Sequence, residues 1–285
     1  MRFLSIQSHV AYGYVGNRAA TFPLQRLGHE VWAVNTVQFS NHAGYGGWRG
    51  RVAEAAEIRD VIAGIEERGV LASCDGVLSG FLGDAALGEV VIDTARRVRA
   101  ANPRALWCCD PVIGDEEGGI YVRPGIAEFF RDRALASADI TTPNRFELEL
   151  LTGHAGRHLD DALAGCRALL AKGPSLVLLT SFVRAETPDD SIEMLAVDRE
   201  HAWLVSTPRI DFPIAPSGTG DMVAALFTAR LLDCGDAGEA LGLTASSIFS
   251  VLSATATAGM RELQLVAAQD EIVAPAYRFT ATRVA

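Results

Sequence analysis

The sequence lacks the cysteine pattern of a disulfide-stabilised protein. It holds five cysteines, an odd number, and no two of them stand at C-x-x-C spacing. Small secreted domains that depend on disulfides use cysteines in pairs at regular spacings. We therefore expect reduced thiols and a cytoplasmic protein.

Long apolar runs and a surplus of basic residues are also absent. No run reaches the ~18 residues of a membrane-spanning helix, and the N-terminus turns polar at Gln7, too early for a signal peptide. The 25 lysine and arginine residues are outnumbered by 35 aspartate and glutamate residues, which gives a formal net charge of −10. This balance argues against nucleic acid or an anionic membrane as the main partner. A nucleotide accompanied by cations is compatible with it.

Two common phosphate-binding patterns are missing as well. The sequence contains no Walker A loop, and it lacks the lysine, His-Arg-Asp and Asp-Phe-Gly set of protein kinases. The stretch from Gly218 to Val223 matches only half of the dinucleotide pattern, because its third small residue is missing. P-loop enzymes and protein kinases are therefore excluded, and a nicotinamide-dependent oxidoreductase is a remote alternative.

Apolar strands alternate with helical segments along most of the chain, 49% of which is hydrophobic. This alternation predicts an α/β fold with a central, mostly parallel sheet that is covered by helices on both faces. Residues 192–197 and 202–206 are predicted to form an antiparallel hairpin at one edge, and residues 275–281 to form a last strand. No repeat or break in composition divides the chain, so residues 1–285 are predicted to be one domain.

Candidate ligand-binding residues stand where the predicted strands end. Ser8, Phe81 and Asp110 each fall at the carboxyl end of a strand, which is where parallel sheets bind ligands. Residues 40–50 are rich in glycine and aromatic side chains and have no regular period. We interpret this segment as a loop, and residues 42–50 as a flap over a site.

The stretch from Ala215 to Leu232 begins as a turn of small residues and continues as a run of helix formers. The backbone N–H groups at such a helix start bind anions. Asp221 in this position has two interpretations of about equal weight. It is either an acidic residue at an ordinary helix start or a general base beside an anion hole, as transfer of a phosphoryl group to a hydroxyl requires.

The rest of the chain favours the second interpretation through a family resemblance. Gly218-Thr219-Gly220-Asp221 resembles the G-x-G-D signature of the ribokinase superfamily, and Asn144-Arg145-Phe146-Glu147 resembles its N-x-x-E motif. Further segments resemble pyridoxal kinases in the order of that family, and they lie at residues 6–10, 13–17, 35–42, 79–83, 110–115 and 142–144. The resemblance covers nearly the whole chain. It implies a ribokinase-like fold, a homodimer, and transfer of the ATP γ-phosphoryl group to the 5′-hydroxyl of pyridoxal.

The resemblance also implies a role for each candidate site residue. Asp221 is the expected base, and the N–H groups of Gly218, Thr219 and Gly220 are expected to hold the charge that develops on the phosphoryl oxygens. The residues expected to bind the substrate are Ser8, Ala43, Gly44 and Phe81, together with Asp221. The residues expected on the ATP side are Asp110, Thr142, Glu147, Thr180, Thr207, Pro208, Arg209 and Ile210. Asp110, Asp115 and Glu147 are expected near Mg²⁺, and a monovalent cation such as K⁺ is a further expected cofactor.

Three positions depart from the pattern of the family. Ala43 stands where many pyridoxal kinases carry Thr, Phe81 stands where Tyr is frequent, and Thr180 stands where some relatives have Lys. These departures leave the preferred vitamer open. The alternatives are a related hydroxymethylpyrimidine or sugar kinase, and a protein that binds pyridoxal phosphate without catalysis.

Overall fold

A ten-stranded sheet forms the centre of the structure, a computed structural model that describes residues 1–285. In chain order the strands are β1 (Arg2–Val10), β2 (Glu30–Phe39), β3 (Gly50–Val52), β4 (Gly76–Ser79), β5 (Leu106–Cys109), β6 (Gly114–Asp115), β7 (Gly119–Ile120), β8 (Ile140–Thr141), β9 (Leu176–Phe182), β10 (Ser191–Val197), β11 (Ala202–Pro208) and β12 (Thr282–Arg283). The sheet order is β12-β11-β10-β9-β8-β5-β4-β1-β2-β3, and β6 and β7 form a separate small hairpin.

Strands β2, β1, β4, β5, β8 and β9 run parallel to one another. Antiparallel strands close both edges, because β3 pairs with β2 on one side and β10, β11 and β12 follow β9 on the other. The predicted mostly parallel sheet with an antiparallel edge hairpin is therefore confirmed. Strand β11 points the same way as the parallel strands, since it is antiparallel to β10, which is itself antiparallel to β9.

Nine α-helices connect or cover the strands, and they are α1 (Asn17–Arg26), α2 (Ala55–Glu67), α3 (Ala85–Ala101), α4 (Ile126–Phe129), α5 (Arg145–Thr152), α6 (Leu159–Leu170), α7 (Thr219–Cys234), α8 (Ala237–Thr257) and α9 (Gln269–Val273). Single 3₁₀ turns lie at Ala43–Tyr45 and Leu71–Ser73, and a π turn at Phe130–Ala134 continues α4.

Each face of the sheet has its own hydrophobic core. Helices α2 to α6 bury their apolar sides in a cluster that includes Leu4 and Ile6 of β1, whereas α1, α7, α8 and α9 pack in a second cluster that includes Phe3. Successive side chains of a strand point to opposite faces, so β1 supplies both clusters. This two-sided burial explains why the central strands are apolar without alternation.

Helix α8 is long and apolar enough to cross a membrane, yet 67% of its most apolar window is buried within the fold. Its burial in the second cluster accounts for its composition. Serine and threonine residues interrupt the apolar runs of this helix, so none of these runs alone reaches the length of a span.

The prediction of a strand at residues 275–281 is wrong. The last strand is the two-residue β12, and the segment before it is held by α8. The Phe279 N–H donates to Ser246 Oγ at 2.9 Å, and the rings of Tyr277 and Phe279 pack against Phe249 with centroids 4.7 and 5.1 Å away. The aromatic residues that suggested a strand therefore serve packing against a helix.

Candidate active site

The parallel strands end at one edge of the sheet, and the N-terminus of α7 lies at the same edge. The turn before α7 is held against the segment that follows β1. Gly218 has a φ of 88°, and a Cβ there would lie 1.8 Å from the Tyr14 carbonyl oxygen. Only glycine combines this left-handed conformation with so close an approach of two backbones.

The first turn of α7 is open to solvent. The first helical bond runs from the Met222 N–H to the Gly218 carbonyl oxygen at 3.1 Å, so the preceding N–H groups lie at the free end of the helix. Gly220 is exposed, and a Cβ added to it would meet no atom within 4 Å. Thr219 fixes the turn through its hydroxyl, which donates to the Pro216 carbonyl at 3.2 Å. The geometry is that of an anion-binding helix start with free access.

Asp221 lies half-buried behind this opening. Its Oδ2 accepts a hydrogen bond from the Gly16 N–H at 2.8 Å, while its Oδ1 faces the turn after β4, where a Cβ on Gly80 would lie 3.5 Å away. Burial raises the pKa of Asp221 to about 6, and the Gly16 N–H opposes that rise. A carboxyl group with this pKa is a competent proton acceptor near neutral pH.

Asp110 follows β5 and is buried, with 7% of its surface exposed. Its Oδ1 accepts a hydrogen bond from the Thr142 hydroxyl at 2.8 Å. Burial raises the pKa of Asp110 well above its usual range, and the nearby carboxylates of Glu147 and Asp221 raise it further. Asp110, Glu147 and Asp221 therefore form an acidic cluster, and Thr142 is hydrogen-bonded to its Asp110.

Glu147 is the buried centre of the N-x-x-E motif, with 3% of its surface exposed. Its Oε1 accepts from the Ile113 N–H at 2.8 Å and its Oε2 accepts from the Asn144 N–H at 2.9 Å, so that Glu147 and Asn144 form a capping box at the start of α5. Burial raises its pKa to about 7, against the effect of these N–H groups. Glu147 thus ties α5 to the loop after β5.

Asp115 and Tyr121 belong to the small β6–β7 hairpin and the residue after it. Asp115 is exposed and its Oδ1 accepts from the Gly118 N–H at 2.6 Å, which closes the hairpin turn. Although 52% of the surface of Tyr121 is exposed, partial burial and the carboxylates of Glu147 and Asp115 raise the pKa of its hydroxyl. The sequence signals neither the hairpin nor this tyrosine, because strands of two residues carry no readable period.

The acidic cluster suits a cation that brings most of its own ligands. No group of three His, Cys, Asp or Glu side chains is placed to hold a metal ion alone. The mutual repulsion of Asp110, Glu147 and Asp221 would be relieved by a hard cation, and Mg²⁺ usually takes one or two carboxylates plus phosphate oxygens and water. The residues present therefore fit Mg²⁺ bound together with a nucleotide.

The residues expected to bind the substrate lie in two places, at the ends of strands and in the 3₁₀ turn Ala43–Tyr45. Ser8 is buried in β1, and its Oγ faces Gly16, where a Cβ would lie 2.3 Å away. Phe81 is half-buried and its carbonyl accepts from the Thr36 hydroxyl at 2.8 Å. Ala43 and Gly44 are exposed in the 3₁₀ turn.

That 3₁₀ turn lies against the anion-binding turn. The preceding residue, His42, accepts from the Gly44 N–H through Nδ1, and the same Nδ1 lies 3.1 Å from Ser217 Oγ. Burial lowers the pKa of His42, and the nearby Arg261 lowers it further. The loop of residues 40–50 therefore reaches the N-terminus of α7.

The residues expected on the nucleotide side differ in their surroundings. Thr180 is buried. Its N–H and its hydroxyl both donate to the Pro143 carbonyl, at 2.9 and 3.4 Å, so the hydroxyl is directed at the backbone. Thr207 and Pro208 end β11 at the same edge as the other strands, followed by Arg209 and Ile210. The Arg209 N–H donates to the Asp190 carbonyl at 2.7 Å.

A cavity that the sequence does not reveal adjoins these residues. It has a volume of about 190 Å³ and is lined by Phe212, Pro213, Ile214, Ala256 and Met260, among others. It lies between the segment that leads into α7 and the end of α8. It is lined by two short segments, residues 211–214 and 256–261, that are more than forty positions apart in the sequence, so no local pattern predicts it.

Comparison with known proteins decides the family. The family model described as phosphomethylpyrimidine kinase matches residues 62–265. Pyridoxal kinase PdxY of Rubrobacter xylanophilus is 57% identical over 286 residues, which cover 100% of this chain and 98% of that protein. The chain belongs to the pyridoxal kinase family. Pyridoxal kinase PdxY of Leifsonia xyli subsp. xyli is 50% identical, with 100% of both chains covered.

Solved structures of pyridoxal kinases agree with this membership. The Leishmania donovani enzyme in complex with ADP and ginkgotoxin superposes with a TM-score of 0.93 at 30% identity, covering 100% of this chain and 99% of that one. The same enzyme in complex with ADP and pyridoxine gives a TM-score of 0.92 at 29% identity, with the same coverage. These comparisons confirm the predicted family, the ribokinase-like fold and the class of ATP-dependent kinase.

Proposed function

We propose that this pyridoxal kinase family member transfers the γ-phosphoryl group of ATP to the 5′-hydroxyl of pyridoxal, and that Asp221 is the base. The observation that carries the proposal is the position of Asp221 at the open N-terminus of α7, with a pKa raised to about 6. The names of its relatives and the ADP complexes of related kinases support the choice of substrates.

The proton acceptor in this mechanism is Asp221 Oδ1. Since Oδ2 is held by the Gly16 N–H at 2.8 Å, the carboxylate has a fixed orientation and leaves its other oxygen for the substrate hydroxyl. Removal of that proton as the hydroxyl attacks makes the oxygen a better nucleophile. A positioned base of this kind contributes about 10²–10⁴ to the rate.

The N–H groups at the start of α7 stabilise the charge on the transferred phosphoryl oxygens. Gly218 fixes the turn, and the open space at Gly220 leaves room for the phosphoryl group. The dipole of α7 adds to the attraction, because its positive end lies at this turn. Loss of one preorganised donor of this type costs about 10²–10³ in rate.

Mg²⁺ bound with the nucleotide would neutralise phosphate charge and polarise the phosphoryl oxygens. In the proposed site Asp110 binds the cation directly or through water, and Thr142 orients Asp110 through the 2.8 Å hydrogen bond. Both oxygens of Glu147 are held by backbone N–H groups, so we assign Glu147 a positioning and electrostatic role. Asp115 and a monovalent cation such as K⁺ are further members of this proposed site.

The nucleotide and the pyridine lie on opposite sides of Asp221 in this proposal. The adenine base enters the apolar cavity lined by Phe212, Ile214 and Met260, next to the segment Thr207, Pro208, Arg209 and Ile210. The pyridine ring binds between Ser8 and Phe81, beneath the turn that carries Ala43 and Gly44. The proposal includes one domain over residues 1–285, a cytoplasmic homodimer, and no nucleic-acid or membrane partner.

A hydroxymethylpyrimidine kinase is the second candidate. The match of residues 62–265 to the phosphomethylpyrimidine kinase model favours it, since a pyrimidine carries a comparable hydroxymethyl group. The curated relatives at 57% and 50% identity over the whole chain bear the name pyridoxal kinase, and this favours the pyridine substrate.

Replacement of the base tests the mechanism. We expect Asp221→Asn to lower kcat about 10²–10⁴-fold, because the amide cannot accept the hydroxyl proton, while ATP binding changes little. Asp233→Asn is the matched control, since Asp233 lies at the far end of the same helix and has a side chain that is 53% exposed. Turnover of Asp221→Asn equal to that of the control would rule out Asp221 as the base. A wild-type protein that binds pyridoxal phosphate without turnover would instead support the non-catalytic alternative.

A further inference from the structure

A buried carboxylate outside the active site fastens two loops together. Glu262 follows α8 and has 9% of its surface exposed. Its Oε2 accepts from the Tyr14 N–H at 3.0 Å, and its Oε1 accepts from the Tyr45 hydroxyl at 2.6 Å. A Cβ on Gly13, which has a φ of 92°, would lie 2.3 Å from Glu262 Oε2. Glycine at position 13 therefore lets the carboxylate reach both donors.

The neighbouring arginine contacts the same turn from the other side. The Arg261 guanidinium lies 3.8 Å from the centre of the Tyr45 ring, and its Nη2 donates to the Gly44 carbonyl at 2.7 Å. A cation over an aromatic face and a charge-assisted hydrogen bond are each favourable. The 3₁₀ turn Ala43–Tyr45 is thus held at its backbone, at its ring and at its hydroxyl.

The segment that carries these two side chains is firmly anchored. Leu263 and Leu265 are buried in the core, at 1% and 0% exposure, and the Gln264 N–H donates to Thr255 Oγ1 of α8 at 3.0 Å. The turn that it holds contributes no side chain to the core, because every residue from Ala43 to Gly50 is exposed. The far side of the loop is held separately, by the stacked rings of Phe39 and Trp48 and by the bond from the Asn41 side chain to the Gly47 carbonyl. The contacts to Arg261 and Glu262 are therefore those that tie this turn to the anchored segment after α8.

The position of the turn matters for the site. His42, at the start of the turn, lies 3.1 Å from Ser217, one residue before Gly218. Tyr14, the second partner of Glu262, carries the carbonyl that packs on Gly218. Glu262 therefore connects the loop of residues 40–50 with the segment against which the anion-binding turn rests.

We propose that Arg261 and Glu262 are positioning residues that hold the turn Ala43–Tyr45 closed over the pyridine pocket and thereby set the KM for the hydroxymethyl substrate. Arg261 also lines the cavity assigned to the adenine base, so the test uses Tyr45 and Glu262, neither of which is assigned a contact with pyridoxal, with the nucleotide or with the reacting atoms. The proposal rests on the function proposed above. A buried carboxylate costs free energy unless its oxygens are hydrogen-bonded, and the two oxygens of Glu262 are bonded to the Tyr14 N–H and to the Tyr45 hydroxyl.

Two conservative variants test this inference. Tyr45→Phe removes only the hydroxyl from an exposed residue, and Glu262→Gln keeps the size of the side chain. In each we expect the KM for pyridoxal to rise about tenfold, the effect of one lost charge-assisted hydrogen bond, while kcat and the KM for ATP stay within about twofold. The effect of the double variant should be smaller than the sum of the two single effects, because Tyr45→Phe removes the contact that Glu262→Gln weakens. Tyr277→Phe, on a surface away from the turn, is the control.

Proteolysis gives a readout that does not depend on turnover. Trypsin cleavage after the exposed Arg49 should be faster in Tyr45→Phe and Glu262→Gln than in the wild type and the control, without any ligand present. A pyridoxal KM within twofold of wild type in Tyr45→Phe would overturn the inference, and so would an equal rise in both KM values or unchanged cleavage. A wild-type protein inactive on pyridoxal would refute the proposed function, while the cleavage rates would still test the fastening of the turn. Because Tyr45 is exposed, its variant decides the matter even if Glu262→Gln does not fold.

Discussion

At the scale of single residues, the surroundings of Asp221 set the pH at which it can accept a proton. Burial raises its pKa to about 6. A base acts only when it is deprotonated, so we expect kcat/KM to fall about tenfold per pH unit below pH 6 and to level off above it. A pH profile measured with two vitamers checks this, because a limb common to both belongs to the enzyme. A flat profile from pH 5 to pH 8 would contradict the assigned base.

The sequence predicts that Asp221 and Gly218 lie at a helix start, as they do in the structure, but it does not reveal what orients them. Gly218-Thr219-Gly220-Asp221 is a local pattern, and its helix start and acid can be read from neighbouring residues. The partner of Asp221 is the Gly16 N–H, 205 positions away, and the partner of Asp110 is Thr142, 32 positions away. Such contacts depend on how the sheet brings strand ends together, so a single sequence does not reveal them.

At the scale of elements, the N-terminus of α7 combines tight packing on one side with open space on the other. Gly220 has open space where a Cβ would stand, so Gly220→Ala should fold normally. We expect the methyl group to obstruct the phosphoryl group and to lower kcat/KM for ATP about tenfold or more, by loss of access to one donor.

Gly64→Ala in α2 is the matched control for that variant, because Gly64 also has no neighbour within 4 Å of a Cβ. A glycine to alanine change within a helix stabilises by about 0.5–1 kcal/mol, so neither variant should have a lowered Tm. Thermal unfolding and steady-state kinetics measured together separate folding from access. Full activity of Gly220→Ala at unchanged Tm would contradict the anion-binding role.

Long elements follow from the sequence, and short ones do not. The strand Glu30–Phe39 and the helix Ala85–Ala101 are long, and in each of them many residues indicate the same element, so the sequence predicts both. Strand β3, the β6–β7 hairpin and α9 are too short to show a period, so the sequence does not reveal them. Residues 275–281 mislead for a different reason, since their aromatic side chains pack against α8.

At the scale of the whole molecule, the buried acids make stability depend on pH. The folded-state pKa of Glu147 is raised from 4.5 to about 7, so the folded protein binds more protons than the unfolded chain between these values. The contribution of protonated Glu147 to the free energy of unfolding is therefore fully present below pH 4.5, and it is lost as the pH rises towards 7. We expect the free energy of unfolding of the ligand-free protein to fall by up to ~3 kcal/mol over this range because of Glu147 alone. Glu147→Gln should flatten the dependence, and denaturant titrations at several pH values measure it.

A bound cation should oppose this loss of stability. Because the carboxylates of Glu147 and Asp221 repel that of Asp110 when all are ionised, Mg²⁺ with a nucleotide should raise Tm more at pH 8 than at pH 5.5. A parallel measurement with Ca²⁺ and the same nucleotide shows whether the rise in Tm depends on the charge of the cation alone or also on its size. Asp110→Asn should reduce the difference between the rise in Tm at pH 8 and the rise at pH 5.5. An equal rise in Tm at both pH values would contradict a cation site in the acidic cluster.

The identity of the substrate is the most direct test of the proposed function. ATP-dependent phosphorylation of pyridoxal, pyridoxine, pyridoxamine and hydroxymethylpyrimidine should be measured side by side, with kcat/KM for each. We expect pyridoxal to be phosphorylated with a kcat/KM at least about tenfold above that of hydroxymethylpyrimidine, a difference that pocket contacts can supply. A preference for the pyrimidine, or no turnover of any pyridine vitamer, would contradict the assignment of this site to pyridoxal.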